Sequence, residues 1–76
     1  MKTVQITLNS IEKVKSFVNV ISNYDYDFDL VFGRYVIDAK SIMGIFSLDL
    51  SKPLTLNIHA TANIDNVLED LKPYLV

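Results

Sequence analysis

Apolar and polar residues alternate at the start of the chain, where Val4, Ile6 and Leu8 are separated by Gln5 and Thr7 and preceded by Thr3. This is the period of a strand with one buried and one wet face. From Ile11 the period lengthens. Ile11, Val14, Phe17, Val18 and Ile21 share one side of a helical wheel, whereas Glu12, Lys13, Lys15, Ser16 and Asn19 fall largely on the other. An amphipathic helix is predicted, with Asn9 or Ser10 as its N-cap. Period two returns where Tyr24, Tyr26, Phe28, Leu30 and Phe32 stand against Asp25, Asp27 and Asp29. The register predicts a second strand with Phe28, Leu30 and Phe32 buried and Tyr24 partly exposed at the loop end. Gly33 and Arg34 suit a Gly-first hairpin turn, followed by a short returning strand at Tyr35, Val36 and Ile37.

Further on, Ser41 is predicted to cap a short helix carrying Ile42, Ile45 and Phe46, with Gly44 lowering its helix propensity and keeping it brief. Pro53 marks a break before the last strand, in which Leu54, Leu56, Ile58 and Ala60 alternate with Thr55, Asn57 and His59. Ile64, Val67, Leu68 and Leu71 then fall at helical spacing, with Thr61 or Asn63 as cap and Pro73 fraying the end. The predicted order is β-α-β-β-α-β-α. Each helix has one apolar stripe and each strand one apolar face, so the economical arrangement packs three helices on one side of a four-stranded sheet, a two-layer α+β sandwich.

The chain has 76 residues, half of them apolar and 21% charged, which fits one domain over residues 1–76 held together by its core. It has no Cys, so a disulfide-stapled module is not expected. A net charge of −2 without a basic cluster lacks the electrostatic footprint of nucleic-acid binding. No apolar run approaches the roughly 20 residues of a membrane span, and a cytoplasmic protein is expected.

Candidate chemistry is sparse. Asp25, Asp27 and Asp29 are spaced like the start of a calcium loop, but Leu30 and Val36 stand where that loop needs Gly and Glu. The aspartates are better explained as the wet face of a strand. The single histidine, His59, falls on the outward face of the last strand. No nucleophile has a neighbouring base, and no glycine-rich phosphate loop or carboxylate pair is evident, so no catalytic residue, metal or cofactor is expected and the chain is read as a non-enzyme.

One segment is more specific. Asp38, Ala39, Lys40, Ser41, Ile42, Met43, Gly44, Ile45, Phe46, Ser47 and Leu48 closely resemble the stretch around the regulatory serine of HPr, the small phosphocarrier of the bacterial sugar phosphotransferase system. Weaker similarity covers nearly the whole chain, including Lys2 to Thr7 and Tyr24 to Leu30. Asp49 stands where the family usually carries glycine. The resemblance implies an HPr-like open-faced sandwich whose antiparallel sheet runs 1-4-2-3 with three helices on one face. It further implies that Ser41 is a regulatory phosphorylation site for an HPr kinase. By the same resemblance, Ile42, Met43 and Phe46, with Lys40, are partner-binding positions for phosphotransferase-system enzymes or a transcriptional regulator. An N-cap serine ordinarily needs no such role, since its hydroxyl satisfies a free backbone N–H. Ile45 is expected in the core, and Met43 and Phe46 in an exposed patch.

The resemblance fails at the start of the first helix. HPr proteins carry His-Ala-Arg-Pro there, whereas this chain reads Asn9, Ser10, Ile11, Glu12, Lys13, Val14. Ser10 could accept phosphate, but a serine phosphoester has too low a transfer potential to pass the group on. The expected function is therefore a regulatory or protein-interaction module acting through the face around Ser41. The alternatives are a phosphocarrier using a non-standard acceptor and a structural or oligomerising HPr-fold domain. The sequence leaves the oligomeric state open.

Overall fold

A computed structural model describes residues 2–60 and 64–76. The elements run β1 (Lys2–Ile6), α1 (Ile11–Ser22), β2 (Asp27–Phe32), β3 (Tyr35–Asp38), α2 (Ile42–Phe46), β4 (Leu54–His59) and α3 (Asp65–Leu71), followed by a 3-10 turn at Lys72–Tyr74. The sheet has the order β1-β4-β2-β3 with every pairing antiparallel. Its inner face supplies Ile6, Phe28, Leu30, Leu54, Leu56 and Ile58, all buried, and the helices cover them with Val14, Phe17, Ile21, Ile45, Val67 and Leu71. The helices thus lie on one face, as the periodicity requires.

Local chemistry explains most of the boundaries. The Ser10 hydroxyl accepts the Lys13 N–H at 3.1 Å and begins α1, resolving the choice between Asn9 and Ser10. Gly33 has φ of +59° and no other residue in the described chain has positive φ, so the two-residue turn pairing Phe32 with Tyr35 is of the Gly-first kind. On the open face, the Thr3 hydroxyl donates to Asn57 Oδ1 at 2.8 Å and Gln5 Nε2 donates to the Thr55 hydroxyl at 2.7 Å, joining β1 to β4 through outward side chains.

Several sequence expectations need correction. Ile11 lies on the wheel face of Val14 but is 63% exposed, because burial of that stripe begins one turn later, at Val14. Tyr24 and Tyr26 continue the alternation without joining the ladder, which begins at Asp27. They stack with ring centroids 6.2 Å apart, and the Tyr24 hydroxyl donates to Asp70 in α3. Phe32 is only partly buried, since it pairs with the exposed Tyr35 at the hairpin end. Ala60 lies beyond the end of β4. The proposed caps Thr61 and Asn63 lie outside the described residues.

The largest unforeseen feature is the C-terminal segment. Pro73 does not fray the chain but sits inside the 3-10 turn, where the missing N–H costs little. Tyr74 is buried, meets Phe17 edge-on at 5.7 Å, and shares a hydrogen bond with the Ser16 hydroxyl. Beyond it the backbone follows β1: Thr7 N–H donates to the Tyr74 carbonyl at 2.9 Å and Val76 N–H to the Gln5 carbonyl at 3.1 Å.

Two outcomes follow from this packing. Tyr74→Ala removes a buried ring and its Phe17 contact and is expected to cost about 3 kcal/mol of stability, read as a lowered denaturation midpoint. The Tyr24 phenol is held above its ordinary range by its hydrogen bond to Asp70, then by desolvation and the charges of Asp70 and Tyr26. The folded state therefore favours the neutral phenol. Its contribution is complete below the ordinary tyrosine range and is lost as pH rises through the folded value. Tyr24→Phe should flatten the alkaline limb of the stability profile, and an unchanged limb would show that the Asp70 contact has no energetic weight.

Candidate functional site

The corner between β3 and α2 is built by a compact series of caps. Asp38 Oδ1 accepts the Lys40 N–H at 2.9 Å and the Asp38 carbonyl accepts the Ser41 N–H at 3.0 Å, turning the chain out of the strand. Ser41 is the N-cap of α2, its hydroxyl accepting the Gly44 N–H at 3.3 Å. At the other end the Ser47 hydroxyl donates to the Gly44 carbonyl at 2.6 Å and closes the helix after five residues. Gly44 thus does more than lower helix propensity. A Cβ there would stand 3.2 Å from the Ser41 hydroxyl oxygen and 3.4 Å from Ile37 Cδ1, so the glycine permits the close approach of the cap and the strand.

A helix of five residues cannot bury all its side chains. Ile45 points into the core and Ile42 is half-buried, whereas Met43 is 77% and Phe46 39% exposed. The exposed Ser41 hydroxyl stands at the head of this apolar pair. Ile11 is a further exposed aliphatic on α1, which packs beside α2.

Lys40 is placed differently from the other sequence candidates. Its ammonium donates to the Tyr24 carbonyl at 2.7 Å and lies 5.6 Å from the Phe28 ring centroid. The side chain ties the corner to the loop before β2.

Three local arrangements have no clear trace in hydrophobic periodicity. Asp49 accepts the Ser51 N–H at 3.1 Å and its hydroxyl at 2.6 Å, and these bonds hold its carboxyl below the usual range. The Asp-x-Ser spacing is the signal that could have found this turn. An open groove lined by Phe32, Tyr35, Ile37 and Leu48, with Ser47 and Asp49 at its edge, lies between the hairpin and the segment after α2. On the opposite sheet face, His59 Nε2 is 2.6 Å from Asp29 Oδ2, a pair set by the β2–β4 register.

The described N-terminus of α1 presents Ser10, Ile11 and Glu12, and the chain's only histidine is on β4. Among the described residues no group of three or more His, Asp or Glu side chains is arranged to hold a metal, and no helix is long and apolar enough to cross a membrane.

Neither a protein-family model nor a curated protein matches the sequence. Among solved structures, the chain is similar to HPr-C-His from Thermoanaerobacter tengcongensis, with a TM-score of 0.74 and 24% identity over 93% of this chain and 86% of that one. The fold is therefore that of an HPr-like open-faced sandwich, with the 1-4-2-3 sheet and three helices on one face.

The cap geometry predicts a graded response at Ser41. Ser41→Ala should lose about 1 kcal/mol of stability, whereas Ser41→Asp, which retains an acceptor, should stay within about 0.5 kcal/mol of the parent. Chemical denaturation distinguishes the two. Equal losses in both variants would mean that the cap is not what holds α2.

Proposed function

We propose that this chain is an HPr-like regulatory or protein-interaction module that binds through the face around Ser41 and does not relay phosphate. The observation that carries the reading is the pairing of Met43 and Phe46, both exposed on α2, with a Ser41 hydroxyl at the rim of their surface. An exposed methionine and phenylalanine on one short helix offer an adaptable, desolvatable contact for a protein partner.

Ile42 contributes its exposed part, and Lys40 supports the surface by holding the corner against Tyr24 and Phe28. The partners consistent with the resemblance are phosphotransferase-system enzymes, an HPr kinase or a transcriptional regulator.

The start of α1 argues against a carrier role. A phosphohistidine relay needs an imidazole that accepts and releases the group readily, and Ser10 occupies the N-cap position instead. A phosphate on Ser41 would be a lasting mark. It would add charge beside the apolar pair and change partner choice while leaving the core, which Ser41 does not enter, intact.

Binding to such proteins from the native host tests the reading. Met43→Asp and Phe46→Asp should each weaken the complex at least tenfold with little loss of stability, since a charge enters the centre of the contact. Ser41→Asp should alter affinity without unfolding the domain. If all three bind every such partner as the parent does, the face is not an interface and the chain is an HPr-fold structural domain.

A further inference from the structure

The two edges of the sheet are treated differently. The edge of β1 is covered by the segment after Tyr74, which pairs Ile6 with Leu75 and bonds to Gln5 and Thr7. The outer edge of β3 has no such cover among the described residues. Tyr35 and Val36 on it are 61% and 62% exposed. Exposed edges are ordinarily blunted by shortness, charge, a proline or a bulge. β3 is short and ends in the charged Asp38, which limits pairing to a brief contact, but it has no proline or bulge and its register with β2 runs unbroken from Asp38 to Tyr35.

Hydrogen-bond parity fixes which groups of β3 are free. The two-residue turn makes Phe32 and Tyr35 the closing hydrogen-bonded pair, and the Ala39 N–H donates to the Phe28 carbonyl at 2.9 Å. Tyr35, Ile37 and Ala39 therefore direct their backbone groups to β2, and Val36 directs its own outward.

The charges flanking Val36 are opposite and each lacks a partner in an ion pair among the described residues: Arg34 in the turn and Asp38 at the strand end. Asp38 moreover stands opposite Asp29 across β2 and β3. Asp29 already has His59 as its partner, so Asp38 is the carboxylate of the two that is open to an added cation.

We infer that β3 pairs antiparallel with β3 of a second copy about a two-fold axis through Val36, forming a weak dimer with a continuous eight-stranded sheet. In this register Val36 bonds to Val36 of the second copy, Tyr35 lies across from Ile37 on the helix side, and Arg34 lies across from Asp38 twice. The charges select this register. Centring the axis on Arg34 or on Asp38 sets like charges opposite each other, and centring it on Tyr35 or Ile37 leaves a charge against Val36. A parallel arrangement in register also sets like against like. The contact is short, below the size of a standard stable interface, so association belongs at high protein concentration and weakens with salt.

Sedimentation equilibrium from micromolar to millimolar protein, with amide shift mapping over the same range, tests the dimer. The expected result is a reversible monomer–dimer equilibrium with concentration-dependent shifts centred on Arg34 to Asp38. Arg34→Glu and Asp38→Arg should each weaken it roughly tenfold. Mixing these two variants should restore association, because each then meets the opposite charge in the other chain. Val36→Lys, at an exposed side chain on the axis, should abolish the dimer and supplies the same readout if the Asp38 variant does not fold. A monomer up to millimolar concentration, shifts centred on Met43 and Phe46, or a mixture no stronger than its components would overturn the inference. These measurements read self-association alone, so their failure leaves the reading of α2 standing.

Discussion

The structure depends most on β4. Leu54, Leu56 and Ile58 along one side of this strand are fully buried, and its two edges carry β1 and β2. Strand and core are therefore one constraint. A one-residue slip of β4 would turn its three largest apolar side chains to solvent and break both ladders together. With the register of β4 fixed, β2 places Phe28 and Leu30 beneath the helices, and the hairpin then carries β3 to the corner from which α2 departs. The face around Ser41 is thus at the end of a series of antiparallel pairings, set by buried side chains far from that surface.

What reaches the surface at that corner is determined by length. Ser41 and Ser47 satisfy the ends of α2 and hold it to five residues. A longer helix could turn successive apolar positions into a buried stripe, as α1 does with Val14, Phe17 and Ile21. Here the short helix sends Ile45 inward, leaves Met43 in water and leaves Phe46 partly exposed. Exposed apolar area on so small a domain is a cost unless a partner covers it.

The strands and helices were legible in the sequence because each obeys a single period, and the sheet order was carried by the resemblance around Ser41. What escaped the reading lies where periodicity carries no information. Tyr74 stands three residues after Leu71, in step with the stripe of α3, but it follows Pro73, and spacing alone does not show that the turn beyond the proline stays packed; the ring is buried against Phe17. Ile11 matches the stripe of α1 in angle, but angle does not tell where along the helix burial begins. The exposure of Met43 and Phe46 followed from counting apolar residues on a short helix. The inward turn of Lys40 did not, since its partner is the Tyr24 carbonyl, sixteen residues away in the chain. Side chains that bond to distant backbone are set by tertiary approach and leave no local pattern.

The central claim is that an HPr-like fold here serves binding and not phosphate transfer. Incubation of the protein with enzyme I and phosphoenolpyruvate, followed by intact-mass analysis under alkaline conditions that preserve phosphohistidine, tests it most directly. The account predicts that the mass stays that of the unmodified chain. A mass increase of one phosphoryl group, lost on acid treatment, would contradict it.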